Sequence, residues 1–383
     1  MKEVIRYIIQ WLCYGDSRLA KRVAYSADER QLETHDLLIV PCGALGKKIV
    51  LPNMGRVVVE HPAKGKTIIR TDLVYNVFFF TSRAEELINP QRDEHGRFLA
   101  KHSLLGQKNR LQIPMLDEYA RLVLKQLDAP LPDPGFEHIY LTHDIDTLSQ
   151  YRHLRGALGG IKRGETKQVL SAWRDIHKDP VYTFPWLIAA DRQVPDAETV
   201  YFVKHTEGKG YDYPQYCLRG HDWKQLQSQL LKSGAKLGLH SSYYGALPDK
   251  LLYTAHRSHF LRCSVEQMQR LADAGYTDDF TMGFADQSGF RLQTSRPIRW
   301  INPQTMQLTR LTLHPLLVMD NTLSQANYMH LTEDEAYFLC ERLIGKVRMH
   351  HGEVCLLWHN SNLMPGTYNR SLYPKILQLL CAY

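Results

Sequence analysis

The chain has 383 residues, 44% hydrophobic and 23% charged, with a formal net charge of +7. This is ordinary globular composition, long enough for two domains or one large barrel with an addition, and it excludes a disordered or fibrous chain. The basic residues are scattered, which argues against nucleic acid as a partner and admits at most anionic glycans or a peripheral membrane contact.

The first segment, MKEVIRYIIQWLCYGDSRLAKR, interrupts its apolar patch with Glu3 and Arg6 and has no small-residue cleavage site. It therefore reads neither as a signal peptide nor as a membrane span. Seven dispersed cysteines (Cys13, Cys42, Cys217, Cys263, Cys340, Cys355 and Cys381) include no C-x-x-C pair. Free thiols in a reducing compartment are expected, and with them a cytoplasmic location.

Residues 1–130 read as a small α/β domain. DLLIVPCG, RVVVEH and NVFFFTS have strand character, and MLDEYARLVLKQL closes the segment as an amphipathic helix. DAPLPDPG follows with four prolines or glycines in eight residues, which sets a linker at 131–136.

Over 137–383 the strand-like runs HIYLTHDID, TVYFVKH, KLGLHSS, FTMGFA, LTLHPLLVMD and EVCLLWHN alternate with helical ones. The helices are FPWLIAADRQV, WKQLQSQLLKSG, SVEQMQRLADAG and EDEAYFLCERLIGKVRMH. Ser264 with Gln267, and Thr332 with Glu335, have capping-box form, while Gly234 and Gly275 stand where helices end. Alternating strands and helices predict a parallel sheet, and the length suits a (β/α) barrel whose strand C-termini converge on one face.

Chemistry-bearing residues gather at those strand ends. Asp144 and Asp146 lie two apart on an extended backbone and project to the same side. Two close carboxylates repel unless a cation compensates them. Other apolar runs end in His205, His240 and His359. One such histidine alone is most simply structural, whereas several strand ends converging with Asp and His describe a site.

From THDID onward, over roughly 137–375, the chain resembles the polysaccharide deacetylase superfamily, the NodB-type domains of carbohydrate esterase family 4. THDID matches the opening motif, HSSYY the start of the second at His240 and Ser241, RSHF part of the third, and LWH the closing one. DDFTMGFADQSGFRLQTSRP resembles a bacterial branch with an upstream domain, for which FFFTSRAEEL and RDEHGRF are the matching upstream stretches. The resemblance implies a distorted (β/α) barrel and a divalent metal, most simply zinc. It implies Asp144 as general base, Asp146 and His240 as metal ligands, His359 as general acid and Arg257 as the group orienting Asp144. The reaction implied is removal of N-acetyl groups from a glycan or glycan precursor.

The chain departs from that pattern at two positions. The family's second metal histidine is Tyr244 here, and the proline of its third motif is His259. The third ligand is thus open among His259, His205 and Tyr244. Trp358 and Tyr243 are candidates for sugar stacking, with core packing as the alternative for Trp358. Arg291 and Arg296 are candidates for an acidic substrate group, or else salt-bridge partners. RDEHGRF reads as a salt-bridged turn. Two other functions fit the same residues: a catalytically silent barrel that binds carbohydrate or regulates a partner, and a hydrolase of cyclic imides or ureides.

Overall fold

The computed structural model describes residues 1–204, 216–243 and 246–381. Residues 23–69 hold a four-stranded sheet of β1 (Val23–Tyr25), β2 (Leu37–Ile39), β3 (Val59–Ala63) and β4 (Lys66–Ile69), in the order β1-β2-β4-β3. A second sheet holds β5 (His138–Ile145), β6 (Ala197–Lys204), β7 (Lys236–Ser241), β8 (Ala255–Ser258), β9 (Asp278–Asp279), β10 (Ile298–Ile301), β11 (Leu308–Leu313), β12 (Val318–Met319) and β13 (Glu353–Leu357). Its order is β10-β11-β9-β8-β7-β6-β5-β13-β12. Every neighbouring pair in it is parallel except β10 with β11.

The parallel strands alternate between two cores. Val200 and Phe202 of β6 join Cys355 and Leu357 of β13, Phe280, Leu316 and Tyr140 in one cluster enclosed by the curled sheet. Leu141, Ile145, Tyr201, Val203, Val354 and Leu356 face outward onto the helices Phe184–Asp191, His221–Lys232, Glu333–Met349 and Tyr368–Cys381. Gly238 belongs to the inward set of β7, where an added Cβ would lie 2.6 Å from the Phe202 ring. Bulk at Phe202 therefore demands its absence at Gly238. His314 plugs the end of the strands opposite their C-termini. It stacks on Phe280 at 4.4 Å between Glu353 (2.8 Å) and Asp278 (3.1 Å), and these carboxylates raise its pKa to about 9 against the effect of burial.

Three strand expectations are corrected. NVFFFTS lies in a helix, Leu73–Thr81, with all nine residues buried and Asp72 capping its start through the Tyr75 amide at 2.8 Å. A run that is apolar on every side carries no period, so its sequence cannot separate strand from helix. FTMGFA is irregular, because pairing beside β8 covers only Asp278–Asp279 and the chain then turns with Gly283 N donating to Thr281 O. LTLHPLLVMD divides into β11 and β12 around Pro315, which has no amide proton for a ladder.

Helix Lys2–Leu12 buries Val4, Ile8, Ile9 and Leu12, so its apolar face belongs to the fold and not to a membrane. That core is continuous with β10, β11 and helix Val265–Asp273. No helix of the described residues is long and apolar enough to cross a membrane.

The expected substrate arginines are spent on the same junction. Arg291 pairs with Glu86 at 2.8 Å, and Arg83 and Arg291 hold the Glu86 carboxyl, whose side chain is 6% exposed, to about 2 against the effect of burial. Arg296 lies between the Trp11 and Tyr14 rings at 3.8 and 3.9 Å and pairs with Asp117 at 3.2 Å. Neither reaches a pocket that holds the strand-end carboxylates. Asp117, itself fully buried, accepts further bonds from Thr294 Oγ1, Ser295 N and Ser295 Oγ. Asp117→Ala strands the Arg296 cation in the interior, and urea denaturation is expected to show a loss of about 3–5 kcal/mol. A loss below about 1 kcal/mol would mean that this junction does not hold the two sheets together.

Candidate metal and proton-transfer site

Strand alternation brings the site together. Asp144 and Asp146 continue the inward set of β5, Lys204 that of β6, His240 that of β7, Arg257 that of β8 and His359 that of β13. The register pairs Lys204 with His240, and His240 with Arg257, across adjacent strands. His143 points the other way, bonding the Trp358 carbonyl at 2.7 Å and Asp191 at 3.0 Å.

Arg257 has no solvent exposure. Its guanidinium lies over the Phe202 ring at 4.5 Å and donates to the Phe280 carbonyl at 3.0 Å, to Thr142 Oγ1 at 2.7 Å and to Asp144 Oδ1 at 3.2 Å. Such a fixed fork holds one carboxylate oxygen and leaves Oδ2 facing the cavity. Asp144 Oδ2 is 3.8 Å from His240 Nε2 and 3.9 Å from His359 Nε2. Burial alone would raise its pKa, but His240, Arg257 and His359 outweigh that and hold it below the ordinary carboxylate range.

Asp146, His240 and His259 present ligand atoms that all lie within 4.8 Å of one another. Asp146 Oδ1 is 3.6 Å from His240 Nε2 and 3.4 Å from His259 Nε2. The backbone beyond His259 adopts the left-handed region at two non-glycine residues, Phe260 (φ +61°) and Leu261 (φ +55°). Each costs about 1 kcal/mol or more, and the resulting turn seats His259 in the pocket wall. Among the described residues, His259, one of the three candidates for the third ligand, is brought to Asp146 and His240. His205 and Tyr244 lie outside the described residues.

The donor set fits a divalent ion. His240 Nε2 is buried and makes no hydrogen bond among the described residues, while its Nδ1 lies 3.2 Å from the Arg257 carbonyl. That leaves Nε2 aimed at the cluster in the way a ligating imidazole is oriented. Asp146 Oδ1, also buried, faces the two imidazoles and the Lys204 ammonium, the latter at 2.8 Å. One carboxylate and two imidazoles suit zinc with a position left open. Lys204 supplies part of the positive charge that such an ion would bring. Lys204, His240 and His259 together hold Asp146 well below the usual carboxylate range despite the opposing effect of burial.

His359 is positioned by a residue that the sequence did not single out. Asp320, fully buried just after β12, accepts from the His359 amide at 2.8 Å and lies 2.8 Å from its Nδ1. This leaves Nε2 for the pocket. Although burial opposes it, Asp320 first and then Asp144 and Asp146 raise His359 to about 9, so it carries its proton at neutral pH.

The pocket, about 200 Å³, is lined by Asp144, Asp146, His240, His259 and His359, with Arg97 and Tyr328 also in its wall. At about 30 Å³ of liquid per water, this admits an acyl group and part of a sugar ring. Arg97 comes from RDEHGRF, and its pairing with Asp93 at 2.7 Å is the salt-bridged turn expected there. The turn is also a wall of the pocket, which its sequence gave no means of seeing.

Two expected stacking residues are not on that wall. Trp358 is wholly buried against Tyr373 at 4.9 Å, since the residue between the inward Leu357 and His359 must face outward. Tyr243 sits edge-on to Phe260 at 5.6 Å beneath Arg262, one layer behind the lining. A serine–histidine–aspartate chain also occurs here, with Ser241 Oγ and Asp279 Oδ1 each 2.8 Å from His256. All three residues have no exposure, so the chain ties β7, β8 and β9 without access to a substrate.

Residues 2–132 match the model of a family described as being of unknown function, DUF7033. No curated protein matches the sequence. Among solved structures the chain is similar to one described as the "putative polysaccharide deacetylase from Mycobacterium smegmatis", at 14% identity and a TM-score of 0.42. That likeness covers 66% of this chain and 88% of the other.

Proposed function

We propose that the chain is a metal-dependent hydrolase that removes N-acetyl groups from a glycan or glycan precursor. The observation that carries this reading is a strand-end pocket in which an ionised Asp144 and a protonated His359 face the same space beside the Asp146–His240–His259 cluster. Asp146, His240 and His259 would hold the ion. When bound, it would supply Lewis acidity toward the acetyl carbonyl and toward the attacking water.

The chain's own residues account for the proton movements. Arg257 fixes Asp144 by one oxygen, so Oδ2 is the basic atom and takes the proton of the attacking water. His359, held through Nδ1 by Asp320, donates from Nε2 to the departing amine. Water thus adds to the carbonyl carbon, the C–N bond breaks, and the products are acetate and a free amine. Arg97 and Tyr328 would bind the sugar at the mouth, a role in which Asp93 keeps the Arg97 fork in place.

Asp144→Asn and His359→Ala are each expected to lower turnover of N-acetylated oligosaccharides by about 10²–10⁴-fold while the metal content stays that of the parent chain. Arg97→Ala should act differently, raising KM with little change in kcat. Should neither the parent chain nor any variant release acetate from a panel of N-acetylated glycans, the hydrolase reading fails.

A second reading, a silent carbohydrate-binding barrel, is favoured by one observation: the Lys204 ammonium already neutralises Asp146. The two readings separate at Lys204→Met. On the hydrolase reading the ammonium opposes a dication nearby, and its removal tightens zinc binding about tenfold or more in calorimetric titration. On the silent reading neither form binds zinc, and Lys204→Met instead costs stability by leaving Asp146 uncompensated.

A further inference from the structure

Between β5 and β6 the chain inserts two helices, Leu154–Lys162 and Thr166–Arg174, joined by a turn at Gly164 (φ +82°). Their mutual seam is narrow. Ala157 and Gly160 of the first helix meet Val169 and Ala172 of the second, and a Cβ at Gly160 would lie 2.7 Å from Val169 Cγ2. Arg152 ties the base of the hairpin to the barrel, bonding the Ala172 and Trp173 carbonyls at 2.9 and 2.8 Å and Asp222 at 2.8 Å. Asp222 is in the first turn of the helix between β6 and β7. The hairpin consequently stands at the C-terminal end of the strands, where the pocket opens.

What this hairpin exposes is unusual for a surface helix pair. Leu154 is 75% exposed, Leu158 53%, Ile161 48%, Leu170 54% and Trp173 50%. At about 100° per residue, Leu154, Leu158 and Ile161 form one stripe beside the buried seam, and Leu170 and Trp173 form the matching stripe on the second helix. Since the helices run antiparallel about a common seam, both stripes fall on the same flank. Beyond each stripe, about 80° further round, come Arg155 and Lys162 on the first helix and Lys167 and Arg174 on the second. All four are exposed and form no ion pair among the described residues.

We propose that this flank seats the protein on an anionic lipid bilayer. An apolar stripe bordered by cations is the pattern of helices that lie in a membrane interface, the aliphatic groups entering the acyl boundary and the cations meeting phosphates. Charge decides against the other occupants. A two-fold contact between copies of the chain would set the four cations against their own equivalents. A nucleic acid would satisfy the cations and leave the leucines in water. Seated in this way, the hairpin holds the C-terminal end of the strands close to the membrane surface. The inference does not rest on the proposed chemistry, because the hairpin contributes no residue to the pocket.

Co-sedimentation of the full chain with phosphatidylcholine vesicles, with and without phosphatidylglycerol, tests it. Binding is expected only when phosphatidylglycerol is present, and it should weaken as salt is added. The variant Leu154→Ser/Leu158→Ser/Ile161→Ser should lose at least tenfold in partition while keeping its circular dichroism. Lys162→Glu/Lys167→Glu should lose about fivefold or more per changed charge. Equal sedimentation of parent and variants, or none at all, overturns the proposal. So would a parent dimer that the serine variant dissociates without any vesicle binding, which would assign the flank to a second copy of the chain.

Discussion

Everything at the candidate site depends on keeping two carboxylates, Asp144 and Asp146, ionised side by side at the strand ends of the curled sheet. Burial works against both charges. The fold answers with four basic groups placed by strand alternation: Arg257 on one oxygen of Asp144, Lys204 on Asp146, and His240 and His359 between the two. Each serves a distinct end. The arginine is immobilised by four contacts and sets orientation, the lysine is a compact charge beside the ligand oxygen, and the histidines keep nitrogens toward the cavity. The inner core beneath them, built on Phe202, Phe280, Leu357 and Tyr140, has the rigidity that this placement requires.

Much of this was legible because strands have a period of two. Asp144 and Asp146 share a face in the sequence itself, and the same alternation places His240, Arg257 and His359 on the inner side. It equally explains the failures. Trp358 was read by its chemistry, yet its position between Leu357 and His359 commits it to the outer core. Lysine is not a usual metal ligand, yet the phase of Lys204 after Val200 and Phe202 makes it the inward residue at the end of β6. His259 could only remain one choice among three, since the left-handed turn at Phe260 and Leu261 that places it has no signature in residue type. The uniformly apolar helix Leu73–Thr81 was read as strand for a related reason: without a polar face there is no period to measure.

Residues from distant parts of the chain meet in ways that no local pattern records. Arg291 and Arg296 were expected at a substrate and instead hold the two sheets together through Glu86 and Asp117. Arg97, within the salt-bridged turn RDEHGRF, reaches the pocket wall. The residues before β5 thus do two jobs for the second sheet, bracing its β10–β11 hairpin and completing the rim of the cavity. Asp320 closes the apolar run LLVMD just as the histidines close theirs, but nothing in the sequence pairs it with His359, 39 residues on.

The account stands or falls on whether Asp146, His240 and His259 are metal ligands. An anomalous difference map from crystals of the unaltered chain grown with zinc addresses this most directly. The account predicts one strong peak ~2.0–2.2 Å from Asp146 Oδ1 and from Nε2 of both histidines, with the Lys204 ammonium displaced from the carboxylate. A map without density there, in which Lys204 still holds Asp146, would contradict it.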